Sequence, residues 1–362
     1  VDFNFSGEIA IAPRIIFSYV NIGFWNFYSS YNGNRMFQES TSALGDDLAY
    51  PMVYFGRRLR ELGHHVATLD MDKLENFDAA VFLDHPTFLN SYYRRLRTMP
   101  GKKLYLFLLE NPANRPDNYW QWNHRAFDKV FTWSPEWIDH KKYFKLWLPV
   151  KIPEVFRIDP AEKTKFCVTV VSQKYSGHAQ ELYSERVRGI RWFEREHPAQ
   201  FDLYGSGWDR FYCRGNLSRL NLVLPRLYAQ FPNLGRSRRF PSYRGTVPVK
   251  NTAMRPYKFA MAYENAAFAG YVTEKIFDAF FAGCVPIYLG APDVTDYIPA
   301  GTFIDRRKFN NYGELYQFLI SMPQSDYRRY LEAIEEFVNG EKIKAFGPEN
   351  LTRTVLEHIV ET

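Results

Sequence analysis

The stretch YKFAMAYENAAFAGYVTEKIFDAFFAGCVPIYLG, residues 257–290, reads as strand, loop, helix and strand. Lys258 to Tyr263 is apolar and aromatic over the length of a strand and ends in Glu264 and Asn265. A loop containing Gly270 leads into a helix over Thr273 to Ala282, with Thr273 as its N-cap. CVPIYLG is the next strand. A strand, a crossover helix and a second strand make a parallel βαβ unit. At such a junction backbone N–H groups and the positive end of the helix dipole turn toward the loop, which suits an anion. Lys275 adds a full positive charge, Glu274 can accept hydrogen bonds from hydroxyls, and Asn265 and Tyr271 offer neutral donors. By spacing alone the segment is equally a capped helix packed on a sheet, with Glu274 and Lys275 on its surface.

The same alternation runs upstream. RIIFSYV, HVATLD, DAAVFLD and KLYLFLLE read as strands, and Asp46 to Leu62 and Ser91 to Arg97 as intervening helices. Leu148 to Pro160 breaks the pattern with Pro149, Pro153 and Pro160. Beyond it KFCVTVV is a strand, Glu181 to Arg195 a helix and FDLYG a strand. Gly205-Ser-Gly207 is too short for a phosphate fingerprint and reads as a turn. Ser206 to Tyr243 is irregular, and the tail is helical over Tyr327 to Phe337 and Asn350 to Val360. The expected fold class is α/β, with two facing Rossmann-like domains. The expected division is 1–150, 151–340 and a C-terminal helix over 341–362 that could return to the N-terminal domain. Ligands of such sheets sit at the carboxyl ends of the strands.

Composition narrows the function. With 31 Phe, 25 Tyr and 8 Trp the chain has rings enough to fill its cores and still stack on sugars. Its formal net charge of +6 favours anions such as nucleotide phosphates. The arginines, densest at Arg236, Arg238 and Arg239, read as solvated surface, and no nucleic-acid-binding signature occurs. Three cysteines, Cys167, Cys213 and Cys284, neither pair evenly nor have metal-ligand spacing, which favours a reducing compartment. No apolar run is long enough to span a membrane, so stable insertion is not expected. The localisation that follows is cytoplasmic, with at most a peripheral attachment at the inner membrane.

The stretch 257–290 resembles the donor-binding motif of the α-1,3/4-fucosyltransferases, glycosyltransferase family 10. The resemblance rests on Tyr257-Lys258-Phe259, Glu264-Asn265, Gly270-Tyr271-Val272-Thr273-Glu274-Lys275 and Pro286-Ile287-Tyr288-Leu289-Gly290. Tyr243-Arg244-Gly245 and Lys250 are similar to the family's lead-in. The likeness is dense over about fifty residues and loose elsewhere. It implies a GT-B fold, a GDP-fucose donor held by the C-terminal domain, and inverting transfer to a glycan hydroxyl, O3 of GlcNAc or Glc. Tyr257, Asn265, Tyr271, Glu274 and Lys275 would then line the GDP-sugar with Lys250. Lys275 would face the diphosphate, and Glu274 the ribose or the fucose. The resemblance also places an Arg on the helix LYSERVRGIRWFE, at Arg186 with Arg188 as fallback, to meet the charge developing on GDP.

An acceptor hydroxyl needs a base. KKLYLFLLENP ends an apolar strand in Glu110, where a cleft residue belongs, and the family's proposed base ends a similar strand. The expected catalytic set is Glu110, Arg186 and Glu274, with His85, His124 and His140 as rival bases. Asp70-Met71-Asp72 has the look of a metal-binding DxD but follows an N-terminal-domain strand. No metal is expected to be required, Mn or Mg acting at most as a stimulant. Phe24 to Met36 could form an acceptor loop or a packing loop. The expected partners are GDP-fucose and an oligosaccharide or glycoconjugate. The chain is similar to bacterial members but lacks their terminal heptad repeats. Another GDP-sugar such as GDP-mannose, or a non-catalytic glycan-binding protein on the same fold, fits the same residues.

Overall fold

The structure, a computed structural model, describes residues 19–38, 49–211, 213, 215–231, 234 and 239–360. These form two compact units. One comprises residues 1–110, 117–152 and 340–362, and the other residues 111–116 and 153–339.

The first unit is built on six parallel strands in the order β2-β1-β3-β4-β5-β6. They are β1 (Asn21–Trp25), β2 (His65–Thr68), β3 (Ala79–Leu83), β4 (Lys103–Leu108), β5 (Lys129–Thr132) and β6 (Tyr143–Lys145). The first strand among the described residues is Asn21–Trp25, and of the expected strand Arg14 to Val20 residues 14–18 lie outside the described residues. Asn21 and Gly23 have poor strand propensity, yet packing selects them. A Cβ on Gly23 would sit 2.2 Å from Leu69 Cδ2, so only glycine lets this central strand lie against its neighbours. β5 and β6 are too short to carry a periodic signal and escape a reading by pattern.

Helices cover both faces of this sheet, as a parallel sheet requires. α1 (Tyr50–Glu61) contributes Phe55 and Leu59 to one core layer. Leu351, Val355 and Ile359 of the tail join the same layer, against Phe24, Val81 and Phe107. α2 (Ser91–Leu96) packs Tyr93 and Leu96 into the opposite layer with Phe82 and Leu106.

The second unit has five parallel strands in the order β11-β10-β9-β7-β8. They are β7 (Lys165–Val170), β8 (Phe201–Tyr204), β9 (Tyr257–Tyr263), β10 (Val285–Leu289) and β11 (Ile304–Asp305). Its α-helices are α3 (Tyr183–Glu196), α4 (Leu224–Gln230), α5 (Lys250–Met254), α6 (Glu274–Phe281), α7 (Tyr312–Ile320) and α8 (Gln324–Asn339); α9 (Pro348–Val355) belongs to the tail. Counted from its own first strand, the second sheet has the same order as the first. Each therefore changes direction beside its first strand, at β1/β3 and at β7/β9, and such a switch point opens a crevice at the carboxyl edge. All three cysteines are buried and free.

Candidate active site

The donor-side residues gather at the carboxyl end of β9, the switch point of the second sheet. Glu264, the first residue past the strand, is fully buried. Its carboxylate accepts from the Thr273 N–H at 2.9 Å and the Thr273 hydroxyl at 2.7 Å, with Lys275 Nζ at 3.5 Å. Thr273 therefore occupies the N-cap position of α6 without capping it, because its hydroxyl is committed to Glu264. Gly290 completes the arrangement. A Cβ there would meet Glu264 Cγ and the Tyr288 hydroxyl, each at 2.4 Å, so the glycine ending the Pro286–Gly290 run makes room for the buried carboxylate.

Lys275 Nζ also donates to Glu274 Oε1 at 3.0 Å. Partial burial pushes the Glu274 carboxyl up, but Lys275 and Lys250 outweigh it and hold the group down at about 2. Burial pulls the Lys275 ammonium down, and Glu274 with Glu264 overcomes that and raises it, so it stays charged. Lys250, which opens α5, donates to Asp278 Oδ2 on α6 at 2.7 Å. Burial raises the Asp278 and Glu264 carboxyls. Glu264 and Asp278 drew no assignment from the sequence, although both fall inside the motif.

Arg186 arrives from α3. The loop after β9 pairs with the chain entering that helix: Leu182 N–H donates to Asn265 O at 3.0 Å and Ala267 N–H to Gln180 O at 2.9 Å. The buried guanidinium donates to Tyr263 O at 2.8 Å, Glu264 O at 3.2 Å and Asn265 Oδ1 at 3.4 Å, while its Nε has no partner among the described residues. Arg188, the fallback, lies on the exposed face of α3 paired with Glu185.

Two expected ligand residues stand apart. Tyr257 opens β9 at the opposite end of the strand from Glu264, and its buried hydroxyl donates to Asp202 Oδ2 at 2.5 Å beside Lys165. A strand of seven residues spans roughly 20 Å, so Tyr257 serves the far edge of the sheet. Tyr271 is in the loop ahead of α6, but its side chain is buried rather than presented.

In the first unit Glu110 stands two residues beyond β4, half-buried at the carboxyl edge. Its backbone is held from below by Asp84, two strands' ends meeting. Asp84 Oδ1 accepts from Leu109 N–H at 2.8 Å, Glu110 N–H at 3.0 Å and Asn118 Nδ2 at 2.7 Å. The Glu110 carbonyl accepts from Asn118 Nδ2 at 3.3 Å and the Tyr119 hydroxyl at 3.4 Å. Asp84 reaches this position with φ at +64°, a left-handed conformation that Asp tolerates better than most residues. It follows β3 just as Glu110 follows β4, so the signal that singles out Glu110 was also present for Asp84.

Burial raises the Asp84 carboxyl to about 6 against its ordinary 3.8, despite the N–H groups that favour its charge. The folded chain thus holds a proton that the unfolded chain has lost between those values. The stability this proton carries is complete below the ordinary value and disappears as pH rises through about 6. Asp84→Asn, always neutral and still an acceptor, is expected to match the parent in acid and to exceed it by about 3 kcal/mol at mildly alkaline pH. Thermal unfolding of both proteins across that range checks this; identical profiles would show that the carboxyl is ordinary.

The rival bases are placed differently. His124 is buried, its ring nitrogens 2.8 Å from Asn118 O and 3.1 Å from the Tyr143 hydroxyl, and burial lowers it to about 4. His85 is buried beside Asp117 at 3.8 Å, and His140 occupies an exposed turn. Asp70 and Asp72 serve turns: Asp70 Oδ2 accepts from Gly33 N–H, and Asp72 Oδ1 from Lys73 N–H and Asn76 Nδ2. Of the aromatic stretch 24–36, Phe24 and Trp25 belong to β1, while Phe27 and Tyr28 are exposed past its end.

Comparison with known proteins bears on the same segment. Residues 234–345 match the model of the glycosyltransferase family 10 (fucosyltransferase) C-terminal region. An α-(1,4)-fucosyltransferase of Arabidopsis thaliana is 51% identical over 63 residues, 17% of this chain and 16% of that protein. The α-(1,3)-fucosyltransferase FucT of Helicobacter pylori is 33% identical over 118 residues, 30% of this chain and 24% of that protein. The chain thus matches a quarter or less of the length of these relatives. A crystal structure of an α1,3-fucosyltransferase with GDP-fucose superposes with a TM-score of 0.51 at 15% identity, covering 89% of this chain and 84% of that one. That likeness carries the fold, two Rossmann-like domains of the GT-B type. The family match falls on Lys250, Glu264, Asn265, Glu274 and Lys275, and in this segment the chain is similar to glycosyltransferase family 10.

Proposed function

We propose that this protein transfers L-fucose from GDP-fucose to a glycan hydroxyl, O3 of GlcNAc or Glc, with inversion to an α-1,3-linkage. The observation that carries the reading is the convergence of Arg186 with Glu274 and Lys275, the last two inside the segment matched by the family, on the carboxyl end of β9. The Lys275 ammonium meets the diphosphate, and the buried Arg186 guanidinium, whose Nε has no partner among the described residues, adds positive charge beside it. Glu274, held ionised by its lysines, accepts hydrogen bonds from sugar hydroxyls. The acceptor oxygen attacks the anomeric carbon, the bond from that carbon to the β-phosphate oxygen breaks, and GDP leaves. Glu110 takes the acceptor's proton as the new bond forms. Charge on GDP is met by side chains, so the reaction is expected to proceed without a divalent metal.

The test is a coupled assay of GDP release from GDP-fucose with N-acetyllactosamine, lactose or no acceptor, beside GDP-mannose, with and without EDTA. Acceptor-dependent release from GDP-fucose that survives EDTA is the expected result. Release from GDP-mannose instead would move the specificity to another GDP-sugar. Absence of GDP binding in a calorimetric titration would remove the donor site.

A further inference from the structure

Arg186 lies in the first turn of α3, and helix ends are where a fold opens most readily. Leu182, at the N-cap, makes no side-chain bond to that turn. The guanidinium reaches Tyr263, Glu264 and Asn265 through one nitrogen, at the end of a long side chain with much rotamer freedom to lose. Whatever keeps the guanidinium in place must therefore hold the turn that carries it.

The adjacent residue, Glu185, supplies that hold. The Tyr312 hydroxyl of α7 donates to Glu185 Oε1 at 2.8 Å and lies 3.1 Å from the Glu185 backbone carbonyl. Arg306, buried just past β11, stands 3.6 Å from the same carboxylate oxygen, with its guanidinium 4.3 Å from the centre of the Tyr312 ring. Arg188 pairs with the other oxygen. On its far side the Tyr312 hydroxyl accepts a long hydrogen bond, 3.5 Å, from the hydroxyl of the fully buried Tyr263. The Tyr263 carbonyl in turn accepts from Arg186 at 2.8 Å. A closed ring of contacts thus runs from Arg186 to Tyr263, Tyr312 and Glu185, and back to Arg186 through the chain. It joins α3, β9 and α7, all within the second unit. Gly189, one turn along α3 from Glu185, leaves room for it. A Cβ there would meet the Tyr312 hydroxyl at 2.8 Å and Met261 Cε at 2.6 Å, so α3 lies this close to Tyr312 only with glycine in that place. Asn311 caps α7 by accepting from the Glu314 N–H at 2.9 Å, which fixes Tyr312 as the first residue of that helix.

We propose that Tyr312 is a positioning residue for Arg186, holding the first turn of α3 through Glu185 so that the guanidinium keeps its place at the carboxyl end of β9. The proposal rests on the reading that Arg186 meets the charge developing on GDP. There a displacement of about 1 Å costs up to about 10²-fold in rate. The role needs only the hydroxyl of Tyr312. Its ring stacks on Trp192 with centroids 6.0 Å apart, a packing contact that phenylalanine would keep.

Tyr312→Phe is expected to lower kcat about tenfold with GDP affinity within about twofold of the parent. Arg186→Lys, which keeps the charge and loses the planar fork, should lower kcat by about 10²-fold or more. Adding Tyr312→Phe to Arg186→Lys should then cost less than about twofold further, because the group it positions is gone. Exchange of the Arg186 Nε–H with deuterium reads the position without any turnover; NMR follows it, and its absence in Arg186→Lys assigns the signal. That exchange should be about tenfold faster in Tyr312→Phe. Should Tyr312→Phe fail to fold, Glu185→Gln weakens the same acceptor and is expected to shift both quantities in the same direction. An unchanged exchange rate in the folded variant, or a loss of kcat that adds in full to that of Arg186→Lys, would overturn the proposal. So would equal losses in kcat and GDP affinity, the mark of a general disturbance of the fold. Normal turnover by Arg186→Lys, with exchange still faster in Tyr312→Phe, would sustain the positioning and reject instead the role of Arg186 in the transfer.

Discussion

Glu110→Gln is expected to lower the rate of transfer by about 10²–10⁴-fold while GDP affinity stays as in the parent. The amide has nearly the shape of the carboxyl but cannot take a proton from the acceptor hydroxyl. The backbone hydrogen bonds that place residue 110, from its N–H to Asp84 and to its carbonyl from Asn118 and Tyr119, do not involve the side chain and survive the change. The variant therefore separates proton removal from positioning. Single-turnover rates and calorimetric GDP titration on the same preparation read the two quantities. Normal turnover would remove Glu110 from the mechanism. Equal losses in rate and GDP affinity would point to a disturbed structure instead.

Lys275→Met should do two things at once. The ammonium stands between Glu264 at 3.5 Å and Glu274 at 3.0 Å, and Glu264 is fully buried. Removing it strands a carboxylate in a site that already raises its proton affinity, which costs about 3–5 kcal/mol when a buried pair is broken. The sign with pH follows from that carboxyl. Its folded value rises further above its unfolded one, so the variant is penalised least in acid and most once the unfolded carboxyl would have ionised. GDP affinity should also fall, by tens-fold for a lost charge-assisted bond to phosphate, roughly 2 kcal/mol. Adding Glu264→Gln to Lys275→Met should recover much of the stability and none of the GDP affinity. Recovery of both would mean that Lys275 serves the fold alone, and unaltered GDP affinity in the single variant would reject its assignment to the diphosphate.

Legibility differed sharply between residues. Glu274, Lys275 and Asn265 stand within a few positions of a strand end and a helix start, where spacing permits an anion site and the resemblance of the motif favours one. Glu110 was visible because a very apolar run stopped at a carboxylate. Asp84 carries the same mark, but its meaning lies in bonds to residues 25, 26 and 34 positions away. Tyr257 sits in the motif yet at the wrong end of its strand for a ligand at the carboxyl edge, a distinction that contiguity in sequence conceals. β1 drew no expectation because such a strand is selected by what packs on it, here Leu69 and Phe77 against Gly23.

The sequence by itself determined the alternation of strands and helices, hence the parallel sheets, and the segment in which the donor-side charges lie. Both are local: periodicity and a contiguous motif are written within a few tens of residues. Only the tertiary structure decided the strand order with its switch points, the turn of Thr273 toward Glu264, the support of Glu110 by Asp84, and the exposure of Leu217, Leu220, Leu227 and Phe231. Each of these depends on which partners burial brings together. An amphipathic pattern states that a helix has two faces, and packing alone states which one meets water.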